Sequence, residues 1–296
     1  MLEEDNQGMK QFLFIISLLI TSSLSSQTIE RIVIGSSGTT LSKVNASLDF
    51  TVGELVVTTD SNATLVLTQG FHQEEISIEI KFSPIVFLQG ALANSDTITM
   101  DDSLRSNSLI PTTSPYSNSE TCNAEVFNAT GTNAIIDWVW VTLRDKDDAS
   151  VILDSQSALL QADGDVVAID GVSNLSIDLP VDSYYVTVNH RNHLGIMSAT
   201  PVTLHTSKTT VINLSDVTTS VFGGSNAVVD MGNGIFAMIS GDFDENGQVQ
   251  NSDASKLIQH LGVSGYNKAD LDMNTQVQNS DVNNLLNPNI GKGQQF

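Results

Sequence analysis

The sequence predicts a mainly β protein: an antiparallel β-sandwich, with a small N-terminal β segment before it and a small α-helical module at the C-terminus. Three observations carry this. Short β-branched or alternating runs recur through residues 27–215, separated by Gly, Asp and Asn turn signals. The longest, Ile136 to Arg144, sets Trp138 and Trp140 on one face of a strand and Val139 and Val141 on the other, so both faces are apolar. Near the C-terminus one phrase is written twice. Gln248-Val249-Gln250-Asn251-Ser252-Asp253 recurs as Gln276-Val277-Gln278-Asn279-Ser280-Asp281, and apolar residues at helical spacing follow the first copy.

Length and charge narrow the function classes. A chain of 296 residues has room for two or three small domains. With 34 acidic against 12 basic side chains, and a formal charge of −22, it is a poor partner for nucleic acid or for anionic membrane surfaces. The apolar content of 40% is too high for wholesale disorder. Cys122 stands alone, so no intramolecular disulfide can brace the fold.

Five segments are expected. Residues 1–26 read as a signal peptide: Lys10 supplies the positive region, Phe12 to Ile20 the apolar stretch, and Ser22 to Ser26 a small-residue cleavage zone. Glu3, Glu4 and Asp5 carry the wrong charge for such a leader, which makes Met9 the expected start. No apolar run is long enough to span a bilayer stably, so the mature protein is expected outside the cell, without a transmembrane segment. Residues 27–75 form the N-terminal β segment, with runs at Ile32 to Ile34, Leu48 to Val52 and Leu65 to Thr68. Residues 76–215 form the sandwich domain, of immunoglobulin-like type, since strands apolar on one face need a second sheet. Within it, Pro84 is expected to end a strand, and residues 91–130 to cross the surface as a long loop with one helical turn near Ser103. Residues 216–240 read as a linker and residues 241–296 as the helical module.

Two resemblances are carried by short strings. Phe50-Thr51-Val52-Gly53-Glu54 with Leu67 to Gln73 resembles an opening segment common in secreted proteins of Bacteroidetes. Met100 to Arg105, Leu109-Ile110-Pro111-Thr112, Asp137 to Arg144, Leu159 to Val167 and His190-Arg191-Asn192-His193-Leu194-Gly195-Ile196-Met197 resemble a family of secreted Bacteroidetes β-sandwich proteins. The resemblance implies a secreted context and supplies no activity.

His190, Arg191, Asn192 and His193 are the one cluster in the sandwich with conceivable chemistry. Two histidines three apart can share a metal only if the strand turns between them, and no Cys or Glu nearby completes a zinc set. A structural turn is the favoured reading and a ligand-binding surface the other. Asp137, Asp163, Asp165 and Asp170 contain a conceivable carboxylate pair, but the last three sit at turn signals, where Asp is favoured for backbone reasons. Catalysis is not expected.

The doubled phrase completes two twelve-residue windows. The first places Asp242, Asp244, Asn246, the Gln248 carbonyl and Asp253 at positions 1, 3, 5, 7 and 12; the second places Asp270, Asp272, Asn274, the Gln276 carbonyl and Asp281 there. Hard oxygen donors at this spacing select Ca2+. Val249 and Val277, at position 8, are expected to pair the two loops. After the first loop, Ser252 or Asp253 can cap a helix whose stripe is Ala254, Leu257, Ile258 and Leu261, stopped at Gly262. The offset of 28 residues (270 − 242) suits loop–helix repeats. That pattern resembles a type I dockerin, with Asp at position 12. The resemblance implies two calcium sites, and a cohesin-type partner chosen by positions 10 and 11, here Asn251, Ser252, Asn279 and Ser280. Thr275 replaces the glycine of position 6 in loop two, a cost of about 1 kcal/mol that predicts a weaker second site.

Together these features point to a secreted, calcium-stabilised structural or adhesion protein that meets an extracellular glycan or surface protein. Two alternatives stand beside it: a carbohydrate-active or metal-dependent hydrolase built on the His190–His193 turn, and a cohesin-binding subunit of a polysaccharide-degrading complex.

Overall fold

The computed structural model describes residues 79–93 and 98–296, and, before them, the backbone of four strands. The chain divides into two compact units, Met1–Glu75 and Ile76–Phe296. In the first, β1 (Ser37–Lys43) pairs antiparallel with β2 (Ala46–Val52), and β3 (Thr59–Ser61) with β4 (Val66–Thr68). The expected leader, Met9 and the Ile32 to Ile34 run lie outside the described residues.

The second unit is mainly β, with antiparallel sheets and few, short helices, consistent with a β-sandwich. Its strands are β5 (Ile80–Ile85), β6 (Ile135–Asp145), β7 (Ile152–Gln161), β8 (Val166–Val167), β9 (Leu175–Ile177), β10 (Ser183–His190), β11 (His193–Met197), β12 (Val202–Thr203), β13 (Thr210–Asn213), β14 (Val228–Asp230) and β15 (Phe236–Met238). The larger sheet runs β11-β10-β6-β7-β8 with β12 on β10, and the smaller runs β13-β5-β9. β6 is its centre because both its faces are apolar. Trp138, Val139, Val141 and Leu143 have no exposed surface, and they share one core with Ile80 and Phe82 of β5, Leu175 of β9 and Ile212 of β13.

Four expectations need correction. β13 and β5 run parallel, so the smaller sheet is mixed. β5 passes through Pro84: β9 pairs only with Ile80–Phe82, so the missing N–H breaks no ladder on that side. Residues 98–130 do not simply cross the surface. Met100, Leu104 and Ile110 are buried in the core, and the Pro111 carbonyl accepts from Trp138 Nε1 at 2.8 Å, so this stretch covers the tryptophan face of β6. Residues 216–240 are no loose linker: β14 and β15 form a hairpin whose Val228, Ala237 and Met238 enter the main core.

A second apolar cluster gathers Leu194 and Ile239 with Phe243, Val249, Leu257, Leu271, Val277, Val282, Leu285 and Leu286. Helix Asn251–Leu257 here is shorter than its apolar spacing suggested and tightens into a 3-10 turn, Ile258–His260. Leu257 is buried, but Ile258 and Leu261 face outward, so the four-residue stripe is not one buried face. The N-cap is Gln250, whose N–H donates to Asp253 at 2.8 Å; Ser252 and Asp253 lie inside the helix.

A buried polar hub joins the two clusters. Asn289 Nδ2 donates to Gln89 Oε1 at 2.7 Å and to the carbonyls of Ser240 and Leu285 at 2.8 Å each, while Ser240 N donates to Gln89 Oε1 at 3.0 Å. Asn289→Ala would leave two buried carbonyls short of a donor, with an expected loss of about 1–3 kcal/mol in urea unfolding. An unchanged midpoint would show that the hub carries no weight.

Candidate metal centre

Each twelve-residue loop folds around its own first and last carboxylates. In loop one, Asp242 accepts the amides of Asn246 and Gly247, both at 3.0 Å, and Asp253 accepts those of Asp244 (3.2 Å) and Gln250 (2.8 Å). In loop two, Asp270 accepts the amides of Asn274 (3.1 Å) and Thr275 (2.9 Å), and Asp281 accepts those of Asp272 (3.1 Å) and Gln278 (2.7 Å). These four bonds correspond residue for residue; Asp281 alone also accepts the Leu271 amide, at 2.7 Å, where Phe243 N in loop one bonds the Gly241 carbonyl. Asn246 and Asn274 also accept the amides of Gln248 and Gln276 through their side-chain oxygens.

This bonding aims three acids at one point in each loop. Oxygens of Asp242, Asp244 and Asp253 lie within 4.8 Å of one another, and so do those of Asp270, Asp272 and Asp281. Burial, aided by Asp253 and Asp244 and opposed by the two amides, pushes Asp242 up to about 6. Burial, then the neighbouring Asp272 and Asp281, pushes Asp270 up to about 8. Asp281 is raised as well, chiefly by burial. Asp244 is held low by Lys256, 2.5 Å from its Oδ2, yet its buried Oδ1 has no hydrogen-bond partner. Carboxylates crowded this way, with an acceptor left over, fit a bound cation.

The loops do not pair with each other through Val249 and Val277. Val277 donates to the Val263 carbonyl and accepts from Gly262, both at 2.9 Å; Val249 donates to the Lys292 carbonyl and accepts from Gly291, also at 2.9 Å. Each loop is therefore edged by the segment that follows the other loop's helix. The sequence hides this, because Gly262-Val263-Ser264-Gly265 and Gly291-Lys292-Gly293-Gln294 share little beyond glycine.

The His190–His193 turn is not a ligand surface. All four residues are buried, the backbone turns between β10 and β11, and their side chains face inward. Asp137, fully buried on β6, is the hub. Its Oδ2 accepts from Arg191 Nε at 2.8 Å and His190 Nε2 at 3.2 Å, and its Oδ1 from Tyr266 OH at 2.7 Å and Trp138 N at 2.8 Å. Burial would raise this carboxyl, but Arg191, His190 and Tyr266 hold it well below the usual range. His193 Nε2 accepts from Gly90 N at 3.3 Å, so its Nδ1 carries the proton and faces Asn192 Oδ1 at 2.7 Å and His190 Nδ1 at 3.1 Å. Burial lowers both imidazoles, and both are neutral. Every ring nitrogen of the turn is engaged within the protein, so the alternative of a hydrolase built on this turn finds no free imidazole base there. Asp170 accepts the amides of Val172 and Ser173 in its own turn.

No family model matches the chain, and no curated protein matches it. Solved structures similar to it include an N-terminal and a C-terminal interface mutant of a type II cohesin–X–dockerin complex from Acetivibrio cellulolyticus. Identity is 12% in each, with 72% of this chain and 97% of the matched chain covered, at TM-scores of 0.37 and 0.38. Scores this low carry no argument about fold or partner, so the functional reading rests on the residues above.

The raised carboxylates give a pH signature without a cation. A carboxyl whose folded pKa lies above its unfolded value of about 3.9 contributes stability at low pH that is lost as pH rises through the folded value. Below about pH 6.5 the buried histidines act in the opposite sense, since unfolding lets them protonate. Between pH 7 and 9 the histidines are neutral in both states, and Asp270, pushed to about 8, dominates. In chelator the thermal midpoint should fall across that window, and saturating calcium should remove the fall. A flat profile in chelator would count against the crowded-acid geometry.

Proposed function

We propose that residues 241–296 form a dockerin-like module holding two calcium ions, within a secreted, calcium-stabilised interaction protein. The observation that carries this is the recurrence, at 28 residues (270 − 242), of the bonding pattern as well as of the letters. Both loops turn three carboxylates to one point and offer only oxygen, the donor set and loop length that suit calcium. Asp244 Oδ1, buried without a partner, is the second support. Among the described residues no helix is long and apolar enough to cross a membrane, and the leader-like stretch at residues 9–26 supports export.

The two sites are unequal. Gly247 has φ +79° and Thr275 φ +85°, so the same left-handed backbone is free of strain in loop one and strained by a β-branched side chain in loop two. Calorimetry on the full chain should show two calcium events, the weaker assigned to loop two by its loss in Asp272→Ala. Thr275→Gly should tighten that event about fivefold, the equivalent of about 1 kcal/mol. A single event, none, or no effect of Thr275→Gly would refute the assignment.

Asn251, Ser252 and Asn279 are exposed and Ser280 is half-buried, at equivalent places on the two repeats. They form the expected partner face, and the resemblance makes a cohesin-type domain the first partner to test, ahead of glycans or other surface proteins. In surface-binding measurements with purified cohesin domains, Asn251→Arg combined with Asn279→Arg should abolish capture while calcium stoichiometry stays at wild type. Capture that survives both substitutions and chelation would place the partner face elsewhere.

A further inference from the structure

We infer that the His190–His193 turn is a latch for loop two: Arg191 and Asn192 are positioning residues that couple cation binding at that loop to the β10–β11 hairpin of the sandwich. The inference rests on the cation-binding reading of loop two, and nothing in the loops' own sequence announces it.

The contacts are specific to one loop. Asn192 Nδ2 donates to the carbonyls of Lys268 and Asp270, each at 3.1 Å, and Asp270 is the first acid of loop two. Arg191 Nη1 donates to the Asn267 carbonyl at 2.8 Å, and its guanidinium lies 4.3 Å over the Tyr266 ring. The chain at the start of loop two is thus held at four positions, 266, 267, 268 and 270, by Arg191 and Asn192. Gly90 closes the other side. A Cβ there would lie 1.6 Å from the Leu271 carbonyl oxygen, so only glycine lets the backbone approach this closely, while its N–H engages His193.

Loop one is supported differently. The turn reaches toward it through backbone: the Asn192 carbonyl accepts from Gly241 N at 2.9 Å, and Leu194 N, just past the turn, donates to the Ile239 carbonyl at 2.8 Å. Removing the Asn192 amide therefore unties loop two and leaves the loop-one side of the turn in place. Groups that orient a ligand from behind typically change metal affinity about 10–100-fold when removed.

The test uses the full chain with one loop disabled at a time. In an Asp244→Ala background, which leaves loop two to be read, Asn192→Ala should weaken calcium binding about tenfold. In an Asp272→Ala background, which leaves loop one, Asn192→Ala should leave the remaining affinity unchanged. Gly90→Ala should reproduce the same asymmetry from the opposite side. Arg191→Lys, which keeps the charge beside Asp137 and gives up the Nη1 contact to the Asn267 carbonyl, serves if Asn192→Ala does not fold. Equal weakening of both loops, or of neither, in folded variants overturns the latch alone. A wild-type chain that binds no calcium overturns the cation sites and the latch together.

Discussion

The second unit is organised around one buried carboxylate. Asp137 stands near the start of an apolar strand, fully buried, where an isolated charge would cost several kcal/mol. Arg191 and three further donors offset that cost, and they come from three different places in the chain: the adjacent Trp138 amide, the β10–β11 turn and Tyr266. Because those donors must converge, the ion pair restricts the register of β10 against β6 and draws the 266–270 segment onto the sandwich. A polar cluster of this kind adds less net stability than a well-packed apolar one of equal volume, but it tolerates fewer alternative arrangements.

The C-terminal repeats solve a different problem. Two short helices bury too little apolar surface to hold two acidic loops closed. Repulsion among Asp270, Asp272 and Asp281 opposes folding, and a bound cation would reverse the sign of that term. The apolar cluster around Leu257, Val277 and Leu286 and the hub at Asn289 then fasten the closed loops to the sheet. With no disulfide available, the hub and the ion pair brace the unit, and a cation in each loop would add to them.

What was legible in the sequence follows from the range of each interaction. Strand alternation and the spacing of oxygens in a loop are local, so β6, β7 and β10 and the six clustered acids could be read directly. Arg191 with Asp137, Asn192 with Asp270, and Gly90 against Leu271 join residues 54 to 181 positions apart, and no local pattern encodes them. The histidine turn was legible as a cluster, but its orientation was not, because inward and outward turns share the same letters. The helix after loop one misled for a related reason. Ile258 and Leu261 have core-like spacing, yet the 3-10 turn changes the period from 3.6 to 3.0 and rotates them outward. Val263 and Ile290 of the same module are exposed as well.

The exchange of edge segments between the repeats sets an order of events. Loop two meets its edge, Gly262–Gly265, as soon as it is made, since that edge precedes it. Loop one has to wait for Gly291–Gln294, which follows everything else in the module. The first loop to be synthesised is thus the last to be finished. A chain emerging in sequence from a ribosome or a secretion channel would carry it half-built, its carboxylates open, until after the second loop has closed.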